Sequence, residues 1–440
     1  MALLMILCLL TGCGGEKSSM SLNGVDISQY AIVYPRESTD YCQRAARYIH
    51  DEILARTGVD IPVYPDSEES GRHEILLGET NRPLSKDIPI RHQNMKFAIK
   101  ADKNHIALNA QSFIIAAAAY YFVETYIPGN RFQSEIPVGR ITQCEPITEK
   151  PNNFIYLIGD GMGVNHTKLP EQHNVEDYIP NSDFEDIFYG YYLPYQGVVH
   201  TNSLTGVTDS AAGATALACG IKTINGVVGR DQYGNDVQSL TELAISLGVA
   251  TAVMSSDAQD GATPAGFSAH AADRSDSADI LACQEVLHNQ SATVFACGLY
   301  TEPDYETVIL DVLAQVEQDP DGFFLMYEEG YIDKKSHNND LGGTMIYMGR
   351  FNQAIGVFME YAFYNPDTFL IITADHETGG LQPQSDGMLG FTTGNHTGAD
   401  VPVFAYGQGA QVFENYSEEN NEIPKVIAAL WGVHDFADQG

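Results

Sequence analysis

The sequence predicts an α/β architecture: a central, mostly parallel sheet flanked by helices, preceded by a smaller α/β domain. Three observations carry that prediction. Short apolar runs alternate with longer helical patterns along most of the chain. Several runs, among them FIYLIG (154–159), GFFLMY (322–327) and TFLIITA (368–374), are apolar throughout, as strands buried on both faces of a parallel sheet must be. Acidic residues or acid–histidine pairs follow these runs directly, at the edge where open α/β sheets bind their ligands.

Taken in order, the chain opens with MALLMILCLLTGCGGEKSS, whose apolar run is too short to span a bilayer and reads as an export signal. Leu10-Thr11-Gly12-Cys13 resembles a bacterial lipobox, which implies lipid attachment at Cys13 and a periplasmic or cell-surface location. Residues 1–28 are thus a signal and a Gly/Ser-rich tether. Over 29–140, strands are expected at YAIVYP (30–35), EILLGE (74–79), MKFAIKA (95–101) and HIALNA (105–110). Helices are expected at 39–58, ending at Gly58, and at 112–127. ILLGETNRP and the Ala-rich second helix resemble the small noncatalytic domain ahead of some bacterial glycoside hydrolases. Residues 141–153 read as a linker and 154–440 as the catalytic domain, with further strands at ATAVMSS (250–256) and VPVFAYG (401–407).

Composition narrows the function. The 58 acidic against 23 basic residues give a formal charge of −35, which argues against nucleic acid as a partner, other than as a substrate, because its phosphates need Lys and Arg. An anionic substrate would need cations supplied at its site. None of the seven Cys lies in a CxxC, which argues against a thiolate zinc site; Cys283 and Cys297 are left open as a bridge or as free thiols.

The chemistry concentrates after the strands. Asp160 follows FIYLIG, and GFFLMYEEGYIDKKSH brings Glu328, Asp333 and His337. TFLIITADHETGG brings Asp375 and His376, and GNHTGADVPVF sets His396 just before the last strand. Carboxylates crowded in one crevice repel unless cations lie between them. Mixed Asp and His ligands suit zinc, and an all-oxygen subset suits magnesium. VTDSAAGATAL (207–217) adds Asp209 and Ser210 at a helix start, where either residue caps free amides.

Together VTDSAAGATAL, IYLIGDGMG, EEGYIDKKSH, TADHETGG and NHTG resemble the alkaline phosphatase family, in that family's order of segments and over residues 150–440. The resemblance implies an alkaline phosphatase-like fold, two Zn2+ and one Mg2+, and hydrolysis of small phosphate monoesters through a phosphoserine. It makes Ser210 the nucleophile and Arg274 the phosphate clamp, oriented by Asp209. Asp333, His337 and His396 would hold one zinc, and Asp160, Asp375 and His376 the other. Asp160 would also reach a magnesium held by Glu328 and by Thr263 of the Thr-Pro pair. Lys334 matches a substrate-contacting Lys of some members. Gly261 departs from the family pattern, because relatives often carry Asp or His two positions before that Thr. The resemblance leaves room for a homodimer. Alternatives are a phosphodiesterase or phosphomutase of the same superfamily, or a non-enzymatic lipoprotein that binds phosphate or glycans.

Overall fold

The computed structural model describes residues 20–37, 40–88, 95–129, 133–173, 187–302 and 304–437. The export signal and Cys13 lie outside them. The chain divides into two compact units, residues 148–358 with 367–440, and the residues before 148 with 359–366.

In the N-terminal unit β1 (Tyr30–Tyr34), β2 (Val63–Pro65), β3 (His73–Leu77), β4 (Phe97–Ala101), β5 (His105–Asn109) and β6 (Ile141–Cys144) form one sheet in the order β2-β1-β3-β5-β4-β6. The first four in that order run parallel; β4 alone reverses, antiparallel to both of its neighbours, β5 and β6. Helix α1 (Asp40–Thr57) turns Cys42, Ala45, Ala46, Ile49 and Ile53 inward, the three-and-four spacing of an amphipathic helix. Helix α2 (Ile114–Tyr126) buries nearly all of its Ala-rich first half. The expected linker is shorter than read: Ile141–Cys144 is an edge strand, paired from Phe97↔Cys144 to Lys100↔Ile141. Its polar residues misled because an edge strand needs only its inward side chains apolar, and here only Cys144 is buried. Residues 359–366 also belong to this unit. Glu360 pairs with Arg44 at 2.8 Å, and Phe363 stacks on Phe113 with centroids 6.0 Å apart.

The larger unit is built on eight strands: β7 (Asn153–Gly159), β8 (Tyr195–His200), β9 (Ala250–Ser255), β10 (Val294–Cys297), β11 (Phe323–Glu329), β12 (Thr368–Thr373), β13 (Val401–Tyr406) and β14 (Ser417–Glu419). Their order is β10-β9-β11-β7-β12-β13-β8-β14. β10, β9, β11, β7 and β12 are mutually parallel. β7, β11 and β12 are buried at every residue, which accounts for their unbroken hydrophobicity. β13 runs antiparallel to β12, so its beginning lies beside the carboxyl ends of the parallel strands.

Helices α3 (Ser210–Cys219), α4 (Ala262–Ser268), α5 (Tyr331–His337) and α6 (Leu341–Tyr364) follow strands of this sheet. Among the described residues no helix is long and apolar enough to cross a membrane. Cys283 and Cys297 are free thiols, settling the alternative left open above.

Candidate active site

Register explains why distant segments meet. Glu328 of β11 is level with Ile158 of β7 and Ser255 of β9, and Ile158 is level with Thr373 of β12. Asp160 and Asp375 therefore leave the sheet side by side, with Glu328 beneath them. His396 reaches the same edge because it precedes the reversed strand β13; its two-residue ladder pairs Thr378 with His396 and Glu377 with Thr397.

Asp160, Asp333, Glu328, Asp375 and His376 are all buried, the last two completely. Asp375 Oδ1 accepts from the amides of Gly161 and His376 at 3.1 and 3.0 Å, and its Oδ2 lies 3.2 Å from His376 Nε2. Asp160 Oδ1 lies 3.5 Å from the same nitrogen. Both Asp160 Oδ1 and Asp375 Oδ2 are buried without a hydrogen-bond partner, a costly state for a carboxylate unless a cation occupies the space between. Burial, then the charges of Asp375, Asp333 and Glu328, push the Asp160 carboxyl well above its ordinary range. Burial likewise raises Asp375, with Asp333 and Glu328 adding to it. Burial drives His376 far down, and His396 and His337 reinforce it, so its ring is neutral and able to coordinate.

Asp333 and His337 stand one turn apart on α5, so both face one way. Asp333 Oδ2 lies 3.3 Å from His337 Nε2 and its Oδ1 3.6 Å from His396 Nε2, while the two imidazoles approach to 3.1 Å. The outer nitrogens are fixed by carbonyls: His337 Nδ1 on Gly394 O at 2.8 Å and His396 Nδ1 on Thr208 O at 2.9 Å. Bonds of that kind set the tautomer and leave each Nε2 to bind. Two triads have ligand atoms within 4.8 Å of one another, Asp333–His337–His396 and Asp160–Asp333–His376. The second takes Asp333 where the sequence reading took Asp375. Asp333 thus belongs to both clusters, and Asp375 approaches the same His376 nitrogen as Asp160.

Ser210 begins α3, only 3 % exposed, with Oγ 3.1 Å from His376 Nε2. Asp209 is the N-cap: Oδ1 accepts from Ala212 N at 3.0 Å, Oδ2 from Gly226 N at 3.0 Å, and Arg274 Nη1 lies 3.5 Å from Oδ2. Capping and orienting Arg274 are therefore compatible in one carboxylate. Arg274's positive charge acts on both Asp160 and His376, lowering each, so the guanidinium lies within electrostatic reach of the cluster.

Two close approaches hold the walls together. Gly161, at φ +73°, lets β7 turn against α5: a Cβ there would stand 2.9 Å from Asp333 Cα. A Cβ on Gly213 would stand 2.9 Å from the Asp375 carbonyl, so α3 packs directly on the segment after β12.

Glu328 and Thr263 form a third group. Burial and then Asp257 raise the Glu328 carboxyl to about 7, and hydroxyls of Ser255 and Thr263 oppose the rise. Thr263 is 1 % exposed, with no well-formed hydrogen bond on Oγ1. Lys334 Nζ pairs with Asp257 and sits 4.4 Å from the centre of the Tyr331 ring.

Sequence reasoning missed Thr378, which donates from Oγ1 to Asp333 Oδ1 at 2.5 Å and lies 3.2 Å from His376 Nδ1. Its place two residues after His376, on the same face of an extended segment, was the available signal. Ser255 and Asp257 were also missed, having no motif of their own.

An open α/β sheet whose carboxyl edge gathers buried acids and histidines around one serine defines a class, the metal-dependent hydrolases. Comparison with known proteins gives the family. The alkaline phosphatase family model matches residues 151–299 and 300–390. Alkaline phosphatase 3 of Bacillus subtilis is 24% identical over 412 residues, spanning 62% of this chain and 88% of the Bacillus protein. Alkaline phosphatase of Escherichia coli is 35% identical over 133 residues, 30% of this chain and 28% of that one. Among solved structures, a mutant of the Antarctic bacterium TAB5 alkaline phosphatase, with Mg bound in its M3 site, has a TM-score of 0.54 at 26% identity, covering 66% of this chain and 99% of its own. The chain belongs to the alkaline phosphatase family and is an enzyme of that hydrolase superfamily.

Proposed function

We propose that this enzyme hydrolyses small phosphate monoesters through a phosphoserine at Ser210, releasing an alcohol and then inorganic phosphate. The observation that carries the reading is the approach of Ser210 Oγ to His376 Nε2, 3.1 Å, inside a cluster whose buried oxygens lack partners. Those orphaned oxygens, together with the tautomer-fixed imidazoles of His337 and His396, fit divalent cations. Asp333, His337 and His396 would hold one zinc, Asp160, Asp375 and His376 a second, and Asp160, Thr263 and Glu328 a magnesium. Bound there, such ions supply Lewis-acid polarisation and make a hydroxyl acidic enough to react near neutral pH.

The chain's own groups do the rest. Ser210 Oγ gives up its proton to solvent and attacks phosphorus in line with the ester oxygen; the P–O ester bond breaks, and the alkoxide takes a proton from solvent and leaves as alcohol. Water then attacks the phosphoserine and frees Ser210 with phosphate. The amino end of α3 favours the negative charge that develops on the serine oxygen. Arg274 presents its fork to two phosphate oxygens, as guanidinium geometry allows, while Asp209 holds it from behind. The lipobox-like Leu10–Cys13 supports export with lipid attachment at Cys13, and fatty-acid labelling of wild type against Cys13→Ala reads it directly.

Brief incubation with labelled phosphate ester at mildly acidic pH should trap label on Ser210, and Ser210→Ala should trap none. Label on another residue would remove Ser210 from its role. Rates on p-nitrophenyl phosphate well above those on its bis-ester, with phosphate set free, separate this reading from a diesterase or mutase.

A further inference from the structure

Asp257 lies in the loop between β9 and α4, outside every group assigned above, yet the loop's interactions lead to Glu328. Its amide donates to Ser255 Oγ at 2.8 Å, and that hydroxyl donates in turn to Glu328 Oε2. Its carbonyl accepts from Gly298 N at 2.5 Å, fixing the loop from the other side. Oδ1 takes the Lys334 ammonium and the Ala258 amide. Oδ2 points toward Gly261, whose Cβ, if present, would stand 3.1 Å from it. A Cβ on Gly330 would stand 3.2 Å from Asp257 Cβ and 3.4 Å from Glu328 Oε1. Two glycines therefore leave room for one carboxylate beside Glu328.

We infer that Asp257 is a positioning residue for the third cation site: tethered by Lys334, it adds negative charge and fixes Ser255 and Glu328 around the ion. Glycine at 261 then follows from packing, because a Cβ there would stand 2.9 Å from the Ala258 carbonyl and 3.1 Å from Asp257 Oδ2. Lys334 joins the same assembly by holding the carboxylate, which is where its charge goes in this chain. The inference rests on the assignment of magnesium to Asp160, Thr263 and Glu328. Asp257 does not itself touch substrate. An outer group that orients ligands of a metal is commonly worth about 10–100-fold in affinity.

The test is calorimetric titration of magnesium into zinc-loaded protein, with wild type, Asp257→Asn and Gly261→Ala compared. Zinc content and melting temperature before magnesium is added report whether each variant is folded. Asp257→Asn should bind magnesium about tenfold more weakly or worse, and its turnover should climb back toward wild type as magnesium is raised, which a damaged fold would not do. Gly261→Ala should shift affinity in the same direction by displacing the Asp257–Ala258 loop, through the Ala258 carbonyl and Asp257 Oδ2, and it decides the matter should Asp257→Asn fail to retain zinc. Wild-type magnesium affinity in a folded Asp257→Asn overturns the inference and leaves the site assignment standing. Absence of magnesium binding in wild type removes both.

Discussion

Thr378 Oγ1 donates to Asp333 Oδ1 at 2.5 Å, binding the segment after β12 to helix α5. One hydroxyl thus joins the two elements that supply His376 and Asp333, and it lies 3.2 Å from His376 Nδ1 as well. Thr378→Val keeps the shape and removes both contacts. Asp333 would be free to rotate and His376 would lose a neighbour that helps fix its tautomer. Affinity for zinc should fall about 10–100-fold, the usual cost of losing an outer partner of a ligand. Competition with a chelator of known strength measures it; unchanged zinc retention would show that the hydroxyl merely packs.

Most of this site was legible because its residues sit at positions a strand pattern defines. Asp160 and Asp375 follow fully apolar runs, and Asp333 and His337 are spaced for one face of a helix. Thr378, Ser255 and Asp257 were hidden for a physical reason. They act through partners far away in sequence, Thr378 on Asp333 and Asp257 on Lys334, and no local periodicity encodes such a pair. The Lys334–Asp257 pair was hidden on the same account, since its members are 77 residues apart. The fold was readable where burial is two-sided, as in β7 and β12, and least readable at β6, a polar edge strand taken for a linker.

The contact of Gly213 with Asp375 leads to a second substitution. A methyl at Gly213 would meet the Asp375 carbonyl at 2.9 Å and its Cβ at 3.1 Å. Alanine favours a helix interior by roughly 1 kcal/mol over glycine, but overpacking of this kind commonly costs about 1–3 kcal/mol. The clash lies on α3, three residues from Ser210, so relief would move Ser210 relative to His376. Gly213→Ala should therefore cut turnover by tenfold or more while melting changes by only a few degrees. Wild-type turnover in this variant would mean that the backbone yields elsewhere.

Arg274 offers a test that separates binding from fold. Its side chain is 41% exposed and meets Asp209 at 3.5 Å, so little stability depends on it. Arg274→Ala should raise KM for phosphate esters and weaken inhibition by inorganic phosphate, each by at least tenfold, with melting within about 0.5 kcal/mol of wild type. A change in melting without a change in phosphate inhibition would assign Arg274 to structure alone.

His270 and Glu242 form a pair away from the cation clusters whose contribution depends on pH. His270 Nε2 lies 2.8 Å from Glu242 Oε1, and its Nδ1 lies 2.7 Å from Gly229 O. Burial pulls the imidazole down, but the Glu242 hydrogen bond and charge outweigh it, so His270 is raised above its ordinary 6.5. Burial raises Glu242, yet bonds from His270 and Ser239 bring it below its ordinary 4.5. A histidine whose folded value is raised contributes fully below the unfolded value and loses that contribution as pH climbs through the folded one. A carboxylate whose folded value is lowered contributes above its unfolded value and loses it in acid. The pair is therefore strongest between about pH 4.5 and 6.5 and fades on the alkaline side. His270→Gln, which retains a donor but no charge, should cost about 1–2 kcal/mol near pH 6 and less at pH 9. Denaturant midpoints of both proteins at the two pH values give the comparison. An equal cost at both would mean that His270 is neutral throughout and that its role is hydrogen bonding alone.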